Sequence, residues 1–106
     1  MPKYFFQGSY SVEGIRGLQK DGGSKRRAAA QQAAQSVGGK LDDFYFALGT
    51  DDVVGIIDLP DNASAAAVSL VINAAGAFKF KTTVLLTPEE MDQATKKSVT
   101  YTPPGR

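Results

Sequence analysis

Val53-Val54-Gly55-Ile56-Ile57-Asp58-Leu59 is the stretch on which the fold turns. It is apolar on both parities, with Val53 and Ile57 on one side and Val54 and Ile56 on the other. Turn-forming residues bound it, Gly49-Thr50-Asp51-Asp52 before and Pro60-Asp61-Asn62 after. That combination predicts a central strand covered on both faces. Upstream, Lys40 to Leu48 alternates, placing Phe44, Phe46 and Leu48 on one face and Leu41, Tyr45 and Ala47 on the other. The two strands then form a hairpin across the four-residue loop.

Working outward, Lys25 to Val37 is rich in Ala and Gln, and Ala30, Ala33, Ala34 and Val37 make one apolar stripe. Ser24 is the expected N-cap of this helix and Gly38-Gly39 its stop. Before it, Lys3 to Tyr10 alternates as a half-buried strand. Val12, Ile15 and Leu18 mark only a short helical turn or two, weakened by Gly14 and Gly17. After the hairpin, a helix runs to about Ala75 and a fourth strand spans Phe78 to Leu86. Thr87-Pro88-Glu89-Glu90 is a capping box for a last helix ending near Lys97. A flexible tail is expected from about residue 99. The order is that of an α+β ferredoxin-like βαββαβ sandwich with an antiparallel sheet, with short extra helices after strand 1 and at the C-terminus. One domain, 1–106, is expected from the length.

Right-handed crossovers put both main helices on one side of such a sheet. The other face is then bare, yet Val54, Ile56, Phe5 and Tyr45 make it apolar. A second copy is the simplest cover, which predicts a homodimer or higher even oligomer built as a dimeric α+β barrel. The helix from Ala65 to Ala75 is apolar nearly all round, broken only by Ser69 and Asn73, and adds to that expectation.

Composition excludes more than it selects. The 106 residues carry 12 Lys plus Arg, 11 Asp plus Glu, and no His, Cys or Trp. Disulfides, thiolate catalysis and Cys-ligated zinc are therefore absent, and so is the commonest catalytic base. The balanced charge argues against a nucleic-acid partner. The most apolar window, Ala63 to Phe78, contains Ser64, Ser69 and Asn73 and is too short to cross a bilayer. A cytoplasmic protein without metal or cofactor and without a membrane partner is the expectation.

Two groups of residues stand out chemically. Lys25, Arg26 and Arg27 follow Ser24 in the first turn of a helix, where the macrodipole disfavours positive charge. Together with Gly22-Gly23 they suggest a site for a small anion, and the alternatives are a solvated charge run or pairing with Asp21, Asp42 or Asp43. Asp58 ends an apolar strand, and Lys81 shares a parity with Lys79 and Thr83. Asp58 with Lys81, assisted by Gln7 and Tyr45, could move protons on an enolisable substrate. The bland alternative for Asp58 is a structural carboxylate. Ser24, Lys25, Arg26, Gln7 and Tyr45 are the ligand-binding candidates, and Asp58 and Lys81 the catalytic ones.

Several segments in order resemble the GYD domain family: Gln7 to Tyr10, Gly23-Ser24-Lys25-Arg26-Arg27, Gly38-Gly39-Lys40-Leu41, Phe44-Tyr45-Phe46 with the loop at Gly49, Ile57-Asp58-Leu59-Pro60-Asp61, Lys81 to Leu86, and Thr87-Pro88-Glu89-Glu90. The Gly-x-Tyr-Asp motif reads Gly49-Thr50-Asp51-Asp52 here, with Asp51 in place of the Tyr. The resemblance implies a bacterial ferredoxin-like domain related to the dimeric α+β barrels. Some proteins of that kind are cofactor-free isomerases or monooxygenases and others only bind ligands, so fold analogy does not choose between them. Three readings follow: a small-ligand binder with its cleft between sheet and helices, a cofactor-free enzyme, and a structural assembly module.

Overall fold

The computed structural model describes all residues, 1–106. Strands β1 (Lys3–Tyr10), β2 (Lys40–Phe46), β3 (Val53–Asp58) and β4 (Phe78–Val84) form one antiparallel sheet in the order β2-β3-β1-β4. Helices α1 (Val12–Asp21), α2 (Gly23–Ser36) and α3 (Asn62–Ala75) connect them, and α4 (Pro88–Thr95) follows the last strand. This is the expected α+β arrangement, compatible with a ferredoxin-like fold. The core lies between the sheet and helices α2 and α3, where Tyr4, Phe6, Val53, Ile57 and Phe80 meet Ala34, Ala65 and Val68.

Close approach shapes this core. Gly55 lies directly across from Phe6 in the β1–β3 pairing. A Cβ there would sit 2.5 Å from the Phe6 ring and 2.3 Å from the Asp43 carbonyl. The missing side chain lets that ring lie down on the sheet and stack on Phe80, with centroids 5.6 Å apart.

Three local expectations change. Helix α1 runs ten residues rather than one or two turns, capped by Ser11 Oγ, which accepts from the Gly14 amide. Its Gly14 is a spacer: a Cβ would reach within 2.1 Å of the Ala77 carbonyl. Ser24 is not the N-cap of α2. Because α1 continues to Asp21, Gly22 alone joins the helices at φ 84°, and Ser24 falls inside the first turn without a capping bond. In β2 the alternation breaks, because a bulge between Leu41 and Asp43 brings Leu41 to the same face as Phe44. The extra residue in one strand resets its parity.

The opposite sheet face carries no element of the fold. Tyr45, Val54, Gln7 and Lys81 form one cross-strand row on it, and Asp43, Ile56, Phe5 and Thr83 the next. On the helical side, Asn73 is the polar residue of α3 that does structural work. Its Oδ1 accepts from the Phe80 amide at 2.8 Å and its Nδ2 donates to the Phe80 carbonyl at 3.1 Å, holding α3 to edge strand β4. No helix is long and apolar enough to cross a membrane.

Candidate functional site

Helix α2 meets the sheet through alanine. Ala29, Ala30 and Ala33 face a floor made by Phe6, Phe44, Phe78 and Phe80, and their single methyl groups leave a cavity of about 140 Å³. Val53 and Ile72 complete its apolar wall. Arg26 is the one charged residue lining it, and Tyr10 stands beside that guanidinium. Burial raises the Tyr10 pKa above its usual value, and the neighbouring Arg26 charge opposes the rise. A hydroxyl held this way stays protonated at neutral pH and can donate a hydrogen bond. Arg26 Nη1 also lies 3.5 Å from Asp21 Oδ2, at the end of α1.

The cavity has the size of a single ring, since an apolar cavity of roughly 150 Å³ accepts benzene. Its chemistry is that of binding and orientation: aromatic surface for a flat apolar body, with a guanidinium and a phenol for an acidic head. No carboxylate or lysine lines it. Arg26 is thus the one predicted ligand residue that the structure brings to this cleft. Ser24 and Lys25 are exposed on the first turn of α2, and Gln7 and Tyr45 both lie on the opposite sheet face, Tyr45 at its β2 edge near Ser24 and Arg27.

The catalytic candidates lie apart. Asp58 is only 6% exposed and faces Lys3 across the β1–β3 pairing. The Lys3 ammonium is 3.6 Å away and the Met1 amino group 3.9 Å, while Asp58 Oδ1 has no hydrogen-bond partner. Lys3 also binds Asp42, and that bond chiefly raises its pKa. Lys81 pairs with Asp51 at 3.2 Å, in the row of Val54 and Gln7. Val54 and Asp58 are four residues apart along β3, about 13 Å at the usual rise. The ammonium beside Asp58 is therefore that of Lys3, not Lys81.

The β2–β3 loop closes over the end of β1. Asp52 Oδ2 accepts from the Tyr10 amide at 2.9 Å, and the Asp52 amide donates to the Gly8 carbonyl at 2.8 Å. Asp51 Oδ1 accepts from Ser9 Oγ at 3.2 Å.

With that geometry in hand, the family model for the GYD domain matches residues 4–95. The chain belongs to the GYD domain family. No curated protein and no solved structure matches it. In this GYD domain Asp52 is a staple that holds the backbone of Tyr10, a residue lining the cavity. Asp51 gives Lys81 a counter-ion. Two site features escape a reading of the sequence. Tyr10 is legible only through its position just before the Ser11 cap, which puts its ring where α1 and α2 cross the end of the sheet. The alanines of α2 read as helix formers, and nothing in that pattern announces a void.

Proposed function

We propose that this GYD domain is a homo-oligomeric binding protein for a small aromatic or unsaturated carboxylic acid. The observation that carries the reading is the ring-sized apolar cavity with Arg26 as its one charged lining residue. The ring of the acid would lie between the alanines of α2 and the phenylalanine floor, and its carboxylate would meet Arg26 and the Tyr10 hydroxyl. Asp21 competes for the same guanidinium. The oligomer is supported by the bare sheet face, where Phe5, Val54 and Ile56 have no element packed over them.

The test is titration of the full chain with 4-fluorobenzoate, followed by fluorine NMR, with fluorobenzene as the uncharged control. Saturable binding of the acid is expected, weakened roughly tenfold or more by Arg26→Leu and strengthened by Asp21→Asn. Equal affinity in wild type and Arg26→Leu overturns the assignment of Arg26. Absence of saturable binding at millimolar acid overturns the reading as a whole.

A further inference from the structure

The segment after β4 has no place on its own subunit. From Leu86 to Thr102 every residue is exposed, α4 buries none of its side chains, and Leu86, Met91, Val99 and Tyr101 present apolar surface to water. The Leu85 amide donates to the Lys3 carbonyl, and no hydrogen bond of the body reaches any residue beyond it. The chain consequently has a radius of gyration of 17.0 Å and a longest extent of 57 Å, against roughly 13 Å for the radius of a compact chain of this length. Yet α4 is fully formed, with Thr87 and Glu90 closing a capping box and Pro88 in the first turn. An eight-residue helix is far below the ~12–15 residues that an isolated helix needs to be even marginally stable in water. Its stability must come from a surface elsewhere.

A surface of matching chemistry exists at the other edge of the sheet. Between α2 and β2 runs a groove lined by Ser24, Arg27, Phe44, Tyr45 and Phe46. Phe46, on the helical face of β2, is 43% exposed. Arg27, which lines the groove, has no ion-pair partner, whereas Arg26 has Asp21. On the arm, Glu89 and Asp92 are equally unpaired and flank Met91, itself 51% exposed. Each surface supplies what the other lacks, an apolar centre with an unpaired charge of opposite sign beside it.

We propose that α4 of one copy docks in the α2–β2 groove of a second copy, so that each subunit straps the other. This rests on the sheet-to-sheet pairing proposed above. Of the two-fold axes that pair the bare faces, the exchange requires the one running along the strands, which reverses the order β2-β3-β1-β4 and sets β4 of each subunit over β2 of the other. The arm therefore leaves β4 beside the groove it fits. The exchange also gives an acidic partner to Arg27, near the start of α2, where a helix on its own disfavours a cation.

The absence of cysteine from the chain makes the test direct. Met91→Cys and Phe46→Cys are purified separately, mixed, oxidised and run on a non-reducing gel, with sedimentation of each beforehand. A disulfide-linked heterodimer that neither variant forms alone is expected. A dimer in sedimentation with no cross-link overturns the strap and leaves the sheet pairing standing. A monomer at tens of micromolar overturns both. In the double variant Met91→Cys/Phe46→Cys, a disulfide closed within a single chain overturns the exchange in favour of an arm folded on its own body. A charge swap covers the case of a cysteine variant that fails to fold. Glu89→Lys with Asp92→Lys, which spares the capping Glu90, should weaken the dimer about tenfold, and Arg27→Glu should restore part of the loss. A dimer constant unmoved by the first pair also overturns the proposal.

Discussion

Asp61 caps α3 by accepting from the Ser64 amide at 2.8 Å, and that bond lowers its pKa below the usual 3.8. A carboxyl whose pKa is lower in the folded than in the unfolded chain stabilises the fold above the unfolded value. The contribution is lost as pH falls through the folded value. Asp61→Asn keeps an acceptor at the cap but cannot titrate. The variant should therefore unfold with a flatter acid limb below pH 3.8, measured as thermal midpoint against pH; an unchanged limb would assign that limb to other groups. Glycine makes a second case at this scale. Gly55→Ala forces a methyl against the Phe6 ring and the Asp43 carbonyl, and should cost about 1–3 kcal/mol in urea denaturation. Gly17, inside α1 with nothing within 4 Å of an added Cβ, should gain about 0.5–1 kcal/mol on changing to Ala. Single residues were unevenly legible. Arg26 stood out because a cation at a helix start breaks a local rule. The tie of Asp51 to Lys81 spans thirty positions, and no local pattern reveals it.

At the scale of elements, the strands were legible wherever alternation survived, as in β1 and β3. It failed in β2, because a bulge inserts a residue without marking the sequence, and Leu41 changed face. Helix α1 is longer than its sequence suggests because Gly14 and Gly17 count against a helix by propensity, while tertiary contact at Ala77 demands the first of them. Helix α3 was read as apolar with a thin polar line, and that line carries the bond to β4. Asn73→Ala removes both bonds to Phe80 and leaves its backbone amide and carbonyl unmatched. A loss of about 1–3 kcal/mol is expected in chemical denaturation, with the amides of β4 becoming the first of the sheet to exchange with deuterium. Undiminished stability would mean that the edge strand is held by its pairing with β1 alone.

For the whole molecule, the order of elements was readable because βαββαβ leaves few ways to build a sheet. The bare face followed from the same rule. If that face pairs two copies, Ile56→Asp places a carboxylate at its centre and should yield a folded monomer, seen by sedimentation with unchanged far-ultraviolet circular dichroism. A dimer of undiminished affinity would move the interface off the sheet. The cleft was less legible, since its volume arises from what α2 lacks.

The exposed arm has a consequence for growth. A projecting helix and a groove at the opposite edge form a head-to-tail pair, and such a pair is complete only when the second copy returns the contact. A two-fold closes it at two subunits. Other rotations that divide a full turn evenly close larger rings, and a rotation that does not close leaves one arm and one groove free at each end, restored by every added subunit. On the proposed exchange, the sheet face is what terminates the polymer: it fixes the rotation at which the ends consume each other. A variant that loses this face while keeping its arm, such as Ile56→Asp, is a monomer when dilute and is positioned to form rings or open filaments as its concentration rises.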